Sequence, residues 1–119
     1  METELQFKNN HVVSKGYGVI ATSIMEDETI SKEAKVLYAY FVCKAGANPR
    51  CFPANKTIMQ ALGIKSKISL QKYKEELVAV GLLYIKERKT KAGRVTSNYY
   101  YPKKHTLERS DEDEEDSRV

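Results

Sequence analysis

The sequence lacks any run of about 18 apolar residues, so it holds no single apolar helix able to cross a bilayer. Its first ten residues, METELQFKNN, lack the apolar stretch of a secretory signal, and a reducing cytoplasm is the expected setting. Cysteine is scarce. The two present, Cys43 and Cys51, have no metal-ligand spacing and are expected as buried, reduced thiols.

Catalytic patterns are missing as well. There is no Gly-x-Ser-x-Gly and no Cys–His pair with family spacing. Gly63-Ile64-Lys65-Ser66 ends like a phosphate-binding loop. However, the glycine such a loop needs further upstream is absent, and Ile64 separates the glycine from the lysine. Gly16-Tyr17-Gly18 lacks the third glycine and the following helix of a dinucleotide fingerprint, so close backbone approach at a strand is expected there. Glu75 and Glu76 are neighbours on an expected helix and point about 100° apart, so they do not converge on one site. They are expected to pair with Lys72 and Lys74 at the surface. His11 and His105 have no partners in sequence and are expected in solvent. No enzyme activity, cofactor or metal is expected.

What the chain does have is positive charge, unevenly spread. The net charge of +4 averages two opposite regions. Residues 1–105 hold 18 lysines and arginines against 9 acids, whereas residues 106–119 hold 2 against 7. Residues 44–104 alone hold 14 against 3, the footprint expected of a surface that meets a polyanion. A length of 119 residues is one domain's worth. The expected organisation is a flexible arm over 1–15, pinned by Phe7 and Val12–Val13, a folded domain over 16–105, and a disordered acidic tail over 106–119. The tail reads as a solubility tag, a competitor for the basic face, or a handle for a partner protein.

Within the domain, 16–20 reads as a short strand or extended segment and 22–26 as one helical turn with Ile24 and Met25 inward. Ser31 is an N-cap, with Glu33 in the first turn. Ala34, Leu37, Tyr38 and Phe41 fall at i, i+3, i+4 and i+7, the core face of a helix that runs to about Lys44 and stops at Gly46. Residues 50–52 read as a very short strand with Phe52 in the core.

The most informative stretch is FPANKTIMQALGIKSKISLQKYKEELVAVG, residues 52–81. Asn55 reads as an N-cap. Ile58, Met59 and Leu62 form an apolar stripe. Gly63 supplies the left-handed residue that ends the helix, and Ile64 plugs the angle before the next one. Ser66 caps a second helix with Leu70, Tyr73, Leu77 and Val80 on one side. Its other side carries Lys67, Ser69, Gln71, Lys72 and Lys74. The pattern is a helix, a tight turn, and a basic helix.

A hairpin follows: Leu83 to Lys89, a loop over 90–94 with Gly93, and a return from Val95 to Tyr101. Leu83 and Ile85 alternate with Tyr84 and Lys86, and Val95, Ser97 and Tyr99 are expected opposite them. Lys86, Arg88, Lys89, Lys91 and Arg94 crowd this hairpin with only Glu87 to offset them, so self-repulsion favours an anionic partner. Tyr99 and Tyr101 share one face and Tyr100 takes the other. Pro102 stops the strand, and Lys103 and Lys104 can reach phosphates.

These pieces, in this order, resemble the winged helix-turn-helix family found in phage and plasmid replication-initiation proteins and related bacterial regulators. The matching segments are GYGVI, SKEAKVLYAYF, CFPANKTI, ALGIKSK, KEELVAVGLLYI and the ending TSNYYY. One departure falls at Lys74, where an apolar residue is common. The resemblance implies an α+β, mainly α fold: a three-helix core with a C-terminal hairpin wing and a small three-stranded antiparallel sheet.

It also implies a double-stranded DNA partner. The helix from Ser66 would enter the major groove with Lys67, Ser69, Gln71 and Lys72 as base-edge or phosphate contacts, flanked by Lys65. Lys56 and Thr57 would meet phosphates at the preceding helix start. Arg88, Lys89, Lys91 and Arg94 would meet the backbone or minor groove from the wing. The implied setting is DNA replication initiation or transcription regulation in the bacterial cytoplasm, at the nucleoid, with replication or transcription proteins as further partners. A homodimer is not declared by the sequence. Two other readings stay open: a protein–protein scaffold with an incidental basic face, and a single-stranded DNA binder that uses the tyrosines.

Overall fold

The computed structural model describes residues 16–89 and 97–104. The expected arm (1–15, with His11), the hairpin loop with Lys91 and Arg94, Val95, His105 and the acidic tail lie outside the described residues. Four helices are described: α1 (Thr22–Met25), α2 (Lys32–Ala45), α3 (Asn55–Leu62) and α4 (Lys67–Ala79). A two-stranded antiparallel sheet of β1 (Leu83–Lys86) and β2 (Tyr99–Pro102) completes a mainly helical α+β fold.

Packing is built around α2. Its N-cap is Ser31, whose Oγ accepts from the Ala34 amide at 3.1 Å. Glu76 of α4 clamps the same end. Its two carboxylate oxygens accept from the Ser31 amide and the Ser31 hydroxyl, each at 2.7 Å. The bond from the Ser31 amide, then that from its hydroxyl, holds the Glu76 carboxyl below its usual range. The expected pairing of the two glutamates with lysines is therefore corrected: Glu76 reaches α2, and Glu75 accepts from Gln71 Nε2 at 3.1 Å.

Ala34, Leu37, Tyr38 and Phe41 are fully buried, as their spacing predicts, and Val42 and Ala45 extend that face. At the other end of α2, Lys104 Nζ donates to the carbonyls of Gly46, at 2.5 Å, and Asn48. That occupies a lysine expected to reach phosphates.

The strand register pairs Leu83 with Pro102, Tyr84 with Tyr101, Ile85 with Tyr100 and Lys86 with Tyr99. Paired residues share a face. Hence Leu83, Ile85, Tyr100 and Pro102 point to the core, and Tyr84, Lys86, Tyr99 and Tyr101 point outward. The expectation that Ser97 and Tyr99 oppose Leu83 and Ile85 is thus corrected by three residues, an odd shift, which in a strand changes the face. The Tyr100 ring stacks on Phe41 with centroids 4.5 Å apart and planes 17° off parallel. Tyr38 Oη donates to the Lys103 carbonyl and ties the strand exit to α2.

The expected third strand reduces to one bridge. The Cys51 amide donates to the Tyr100 carbonyl at 3.0 Å, and the Tyr100 amide donates to the Cys51 carbonyl at 2.8 Å. Because Cys51 points inward, its neighbour Phe52 points out and is 54% exposed, against the expectation of a core residue. Cys51 is buried, and burial pushes its thiol up to about 11. Cys43, expected buried too, is exposed on α2.

Other expectations shift for local reasons. Residues 16–20 form neither helix nor strand. Gly18 nonetheless makes the expected close approach: a Cβ there would lie 2.6 Å from Val42 Cγ1 and 3.0 Å from the Val42 carbonyl. Ile24 is buried in α1, but Met25 is exposed. The N-cap of α3 is Ala54, which offers no side-chain bond, and Asn55 is the first helical residue. Val80, the C-cap of α4, is exposed and Lys74 within the helix is buried, both contrary to the expected faces.

Candidate nucleic-acid interface

The geometry of α3, the turn after it and α4 follows from three residues. Gly63 adopts φ +70°, the left-handed conformation that ends α3. Ile64, half-buried, packs against the core as expected. Ser66 then caps α4, its Oγ accepting from the amides of Ile68 and Ser69 at 3.1 and 3.2 Å. With Leu70, Lys74 and Leu77 turned inward, helical phase leaves Ile68, Gln71, Lys72 and Glu75 on the outward side, while Lys67, in phase with Lys74, is exposed in the first turn.

The sequence-derived contacts divide. Lys56, Lys65 and Lys67 line one shallow depression at the turn, together with Gln60, Met59 and Ile64. Lys67 and Gln71 also line a second depression with Ile68 and Asn55, and Lys74 forms part of its wall. Thr57, Ser66 and Lys72 are exposed. Ser69 stands apart. It is half-buried and lines a third depression with Lys32, Glu33, Val36 and Tyr73, on the side of α4 that faces α2, where Lys65 and Ser66 form the rim next to the turn.

On the hairpin, Lys89 is exposed. Arg88 is committed to local contacts: its Nε donates to the Ser97 carbonyl at 2.9 Å, and its guanidinium lies 4.8 Å from the ring centroids of both Phe52 and Tyr99. Lys91 and Arg94 fall outside the described residues.

Electrostatically, this surface is mainly positive, with Glu33 near Lys65 and Glu75 on the outward side of α4 as its nearest acids. No acid occurs between Glu33 and Glu75, a stretch that contains α3, the turn and the first half of α4. Exposed lysines there repel one another unless counter-ions or a polyanion sit between them. Among the described residues no cluster of three or more His, Cys, Asp or Glu side chains is placed to hold a metal. Nor is any helix among the described residues long and apolar enough to cross a membrane.

Three residues escape the sequence argument. Ile68 is 81% exposed beside Lys67, an apolar side chain presented to water on a cationic face. It was legible, because it has no place on the stripe of Leu70 and Leu77. Lys74 is 3% exposed, its Nζ donating to Asn55 Oδ1 at 2.7 Å and Tyr100 Oη at 2.8 Å. Its i+4 spacing from Leu70 and i−3 spacing from Leu77 was the signal; its charge hid it. Arg50 lies 3.8 Å above the Tyr99 ring, a contact across 49 positions that no local pattern announces.

Comparison with known proteins adds no relative: no family model, no curated protein and no solved structure matches the chain.

Proposed function

We propose that this chain binds double-stranded DNA as a winged helix-turn-helix protein, with α4 in the major groove and the β1–β2 hairpin as the wing. The observation that carries the reading is the acid-free grouping of Lys56, Lys65 and Lys67 at the α3–α4 turn, continued along α4 by Gln71 and Lys72. The lysines supply phosphate contacts and most of the affinity. Gln71 suits a bidentate pair to adenine, and exposed Ile68 suits apolar contact with a thymine methyl. Thr57 and the first-turn amides of α3, which Ala54 leaves without a side-chain cap, suit a backbone phosphate. Lys89, with Lys91 and Arg94, reaches the neighbouring backbone or minor groove. The family resemblance favours replication initiation or transcription regulation in a bacterial cytoplasm as the setting.

Titration of labelled duplex DNA across a salt series tests this. Log affinity should fall linearly with log salt, by about 0.9 for each phosphate neutralised. Lys67→Ala and Lys72→Ala should each lower that slope by about 1 and weaken all sequences alike. Gln71→Ala should change which sequences are preferred. No duplex binding at low salt, or an affinity flat with salt, overturns the proposal and leaves a protein-binding scaffold as the better reading.

A further inference from the structure

The outward face of the sheet carries a feature that the duplex reading does not use. Period-two alternation places Tyr84, Tyr99 and Tyr101 there, and Phe52 joins them from the segment before α3. Their rings form a continuous ladder: Tyr84 to Tyr101 at 5.6 Å, Tyr101 to Tyr99 at 6.5 Å, and Tyr99 to Phe52 at 6.1 Å between centroids. Two guanidiniums are set into it. Arg50 lies 3.8 Å over Tyr99 and donates through Nη1 to Tyr101 Oη at 3.0 Å. Arg88 lies 4.8 Å from both Tyr99 and Phe52.

Cross-strand aromatic pairs alone stabilise a sheet, and Tyr84 opposite Tyr101 is such a pair. That role does not account for the rest of the face. Tyr84 is 61% exposed and Phe52 54%, so the two ends of the ladder keep ring surface in water. The hydrogen bonds of Arg50 and Arg88 go to a hydroxyl and a carbonyl, not to carboxylates. The ring contacts position each guanidinium, and among the described residues neither is bonded to a carboxylate. Open rings beside pre-set, acid-free guanidiniums match a ligand with flat π-faces and phosphates. A cationic ligand, the usual guest of an aromatic cage, is repelled by the two arginines.

We propose that this face binds an unpaired nucleic-acid strand, with bases stacking on Tyr84 and Phe52 and phosphates held by Arg50 and Arg88. The proposal does not rest on the duplex reading. Lys74 on the inner side of α4 meets Tyr100 on the inner side of β2, so the ladder and the outward face of α4 point away from each other across the core. A chain with both surfaces is suited to a junction where duplex gives way to single strand.

The test is a titration of the full chain with labelled oligo(dT) and oligo(rU) of about 12 nucleotides, a length within the range one small domain covers. The chain has no tryptophan, so quenching of its tyrosine emission reports stacking directly. Oligo(dT) or oligo(rU) should bind and quench, and the tighter of the two identifies the strand. Tyr84→Ala and Phe52→Ala should each weaken binding by roughly tenfold while duplex affinity and the circular dichroism spectrum stay unchanged. Lys67→Ala and Lys72→Ala should leave oligonucleotide binding within roughly twofold. No binding of either strand at low salt overturns the inference. So does binding without quenching, or binding that responds to the lysine variants and not to the ring variants. Loss of duplex binding in the lysine variants alone bears only on the duplex reading.

Discussion

Lys74 puts an ammonium where its neighbours Leu70 and Leu77 are apolar. Burial lowers its pKa from 10.5 to about 8, even with Asn55 and Tyr100 accepting from it. The sign of its effect on stability follows. Between pH 8 and 10.5 the unfolded chain binds this proton and the folded chain does not, so this group makes stability rise with pH over that window. Below pH 8 both states are charged and the penalty of burying the ammonium is fully present. At about 1.4 kcal/mol per pH unit, the swing is about 3 kcal/mol. Cys51 opposes it at the upper end, because its thiol stays protonated in the fold up to about 11. Lys74→Met should therefore be neutral or up to about 2 kcal/mol more stable at pH 7, and its stability should lack the rise from pH 8 to 9. Urea denaturation of parent and variant at pH 7 and pH 9 measures both. Equal pH slopes would show that the ammonium is hydrated in the folded state. The spacing of Leu70 and Leu77 brackets this position as core-facing, so the sequence carried the clue; lysine composition alone sends it outward.

Elements whose limits depend on near neighbours were legible, and those that depend on distant partners were not. Ser31, Gly46, Gly63 and Ser66 mark the ends of α2, α3 and α4 because caps act within one turn. The core face of α2 was readable from helical spacing for the same reason. Of the two readings of segment 16–20, the paired strand does not hold, since pairing depends on a distant partner that the segment does not announce. Its actual role is lateral: Gly18 lies against α2 where no side chain fits. Gly18→Ala should cost about 1–3 kcal/mol, because the obstacle includes the backbone of Val42, which cannot rotate aside. Thermal melting checks it, and an unchanged midpoint would mean that the segment lifts off at little cost. In the hairpin, alternation gave Tyr100 a face different from that of its neighbours. Which face met the core depended on register with β1, and the turn residues did not determine that.

At the scale of the whole molecule, Cys51 is a reporter of global opening. Its thiol lies against the Phe41 carbonyl at 3.6 Å, while its backbone is bonded on both sides to Tyr100. A thiol reagent at pH 8 should therefore modify one cysteine quickly, Cys43, and the second only at the rate at which the fold opens. Rapid reaction of both would show that the Cys51 bridge breaks on its own. The candidate surface was half readable at this scale. Its lysines came from charge counting, but Ser69 turned toward α2 and Arg88 toward the rings, because a helix of known phase still needs its neighbours to say which way is out. Tyr100, finally, comes from the last strand described, yet it supplies the ring that covers Phe41 in the second helix. While the protein is being made, α2 therefore emerges from the ribosome with its apolar side uncovered. Phe41 stays without its covering ring until Tyr100 itself has cleared the exit tunnel, so this part of the core closes late.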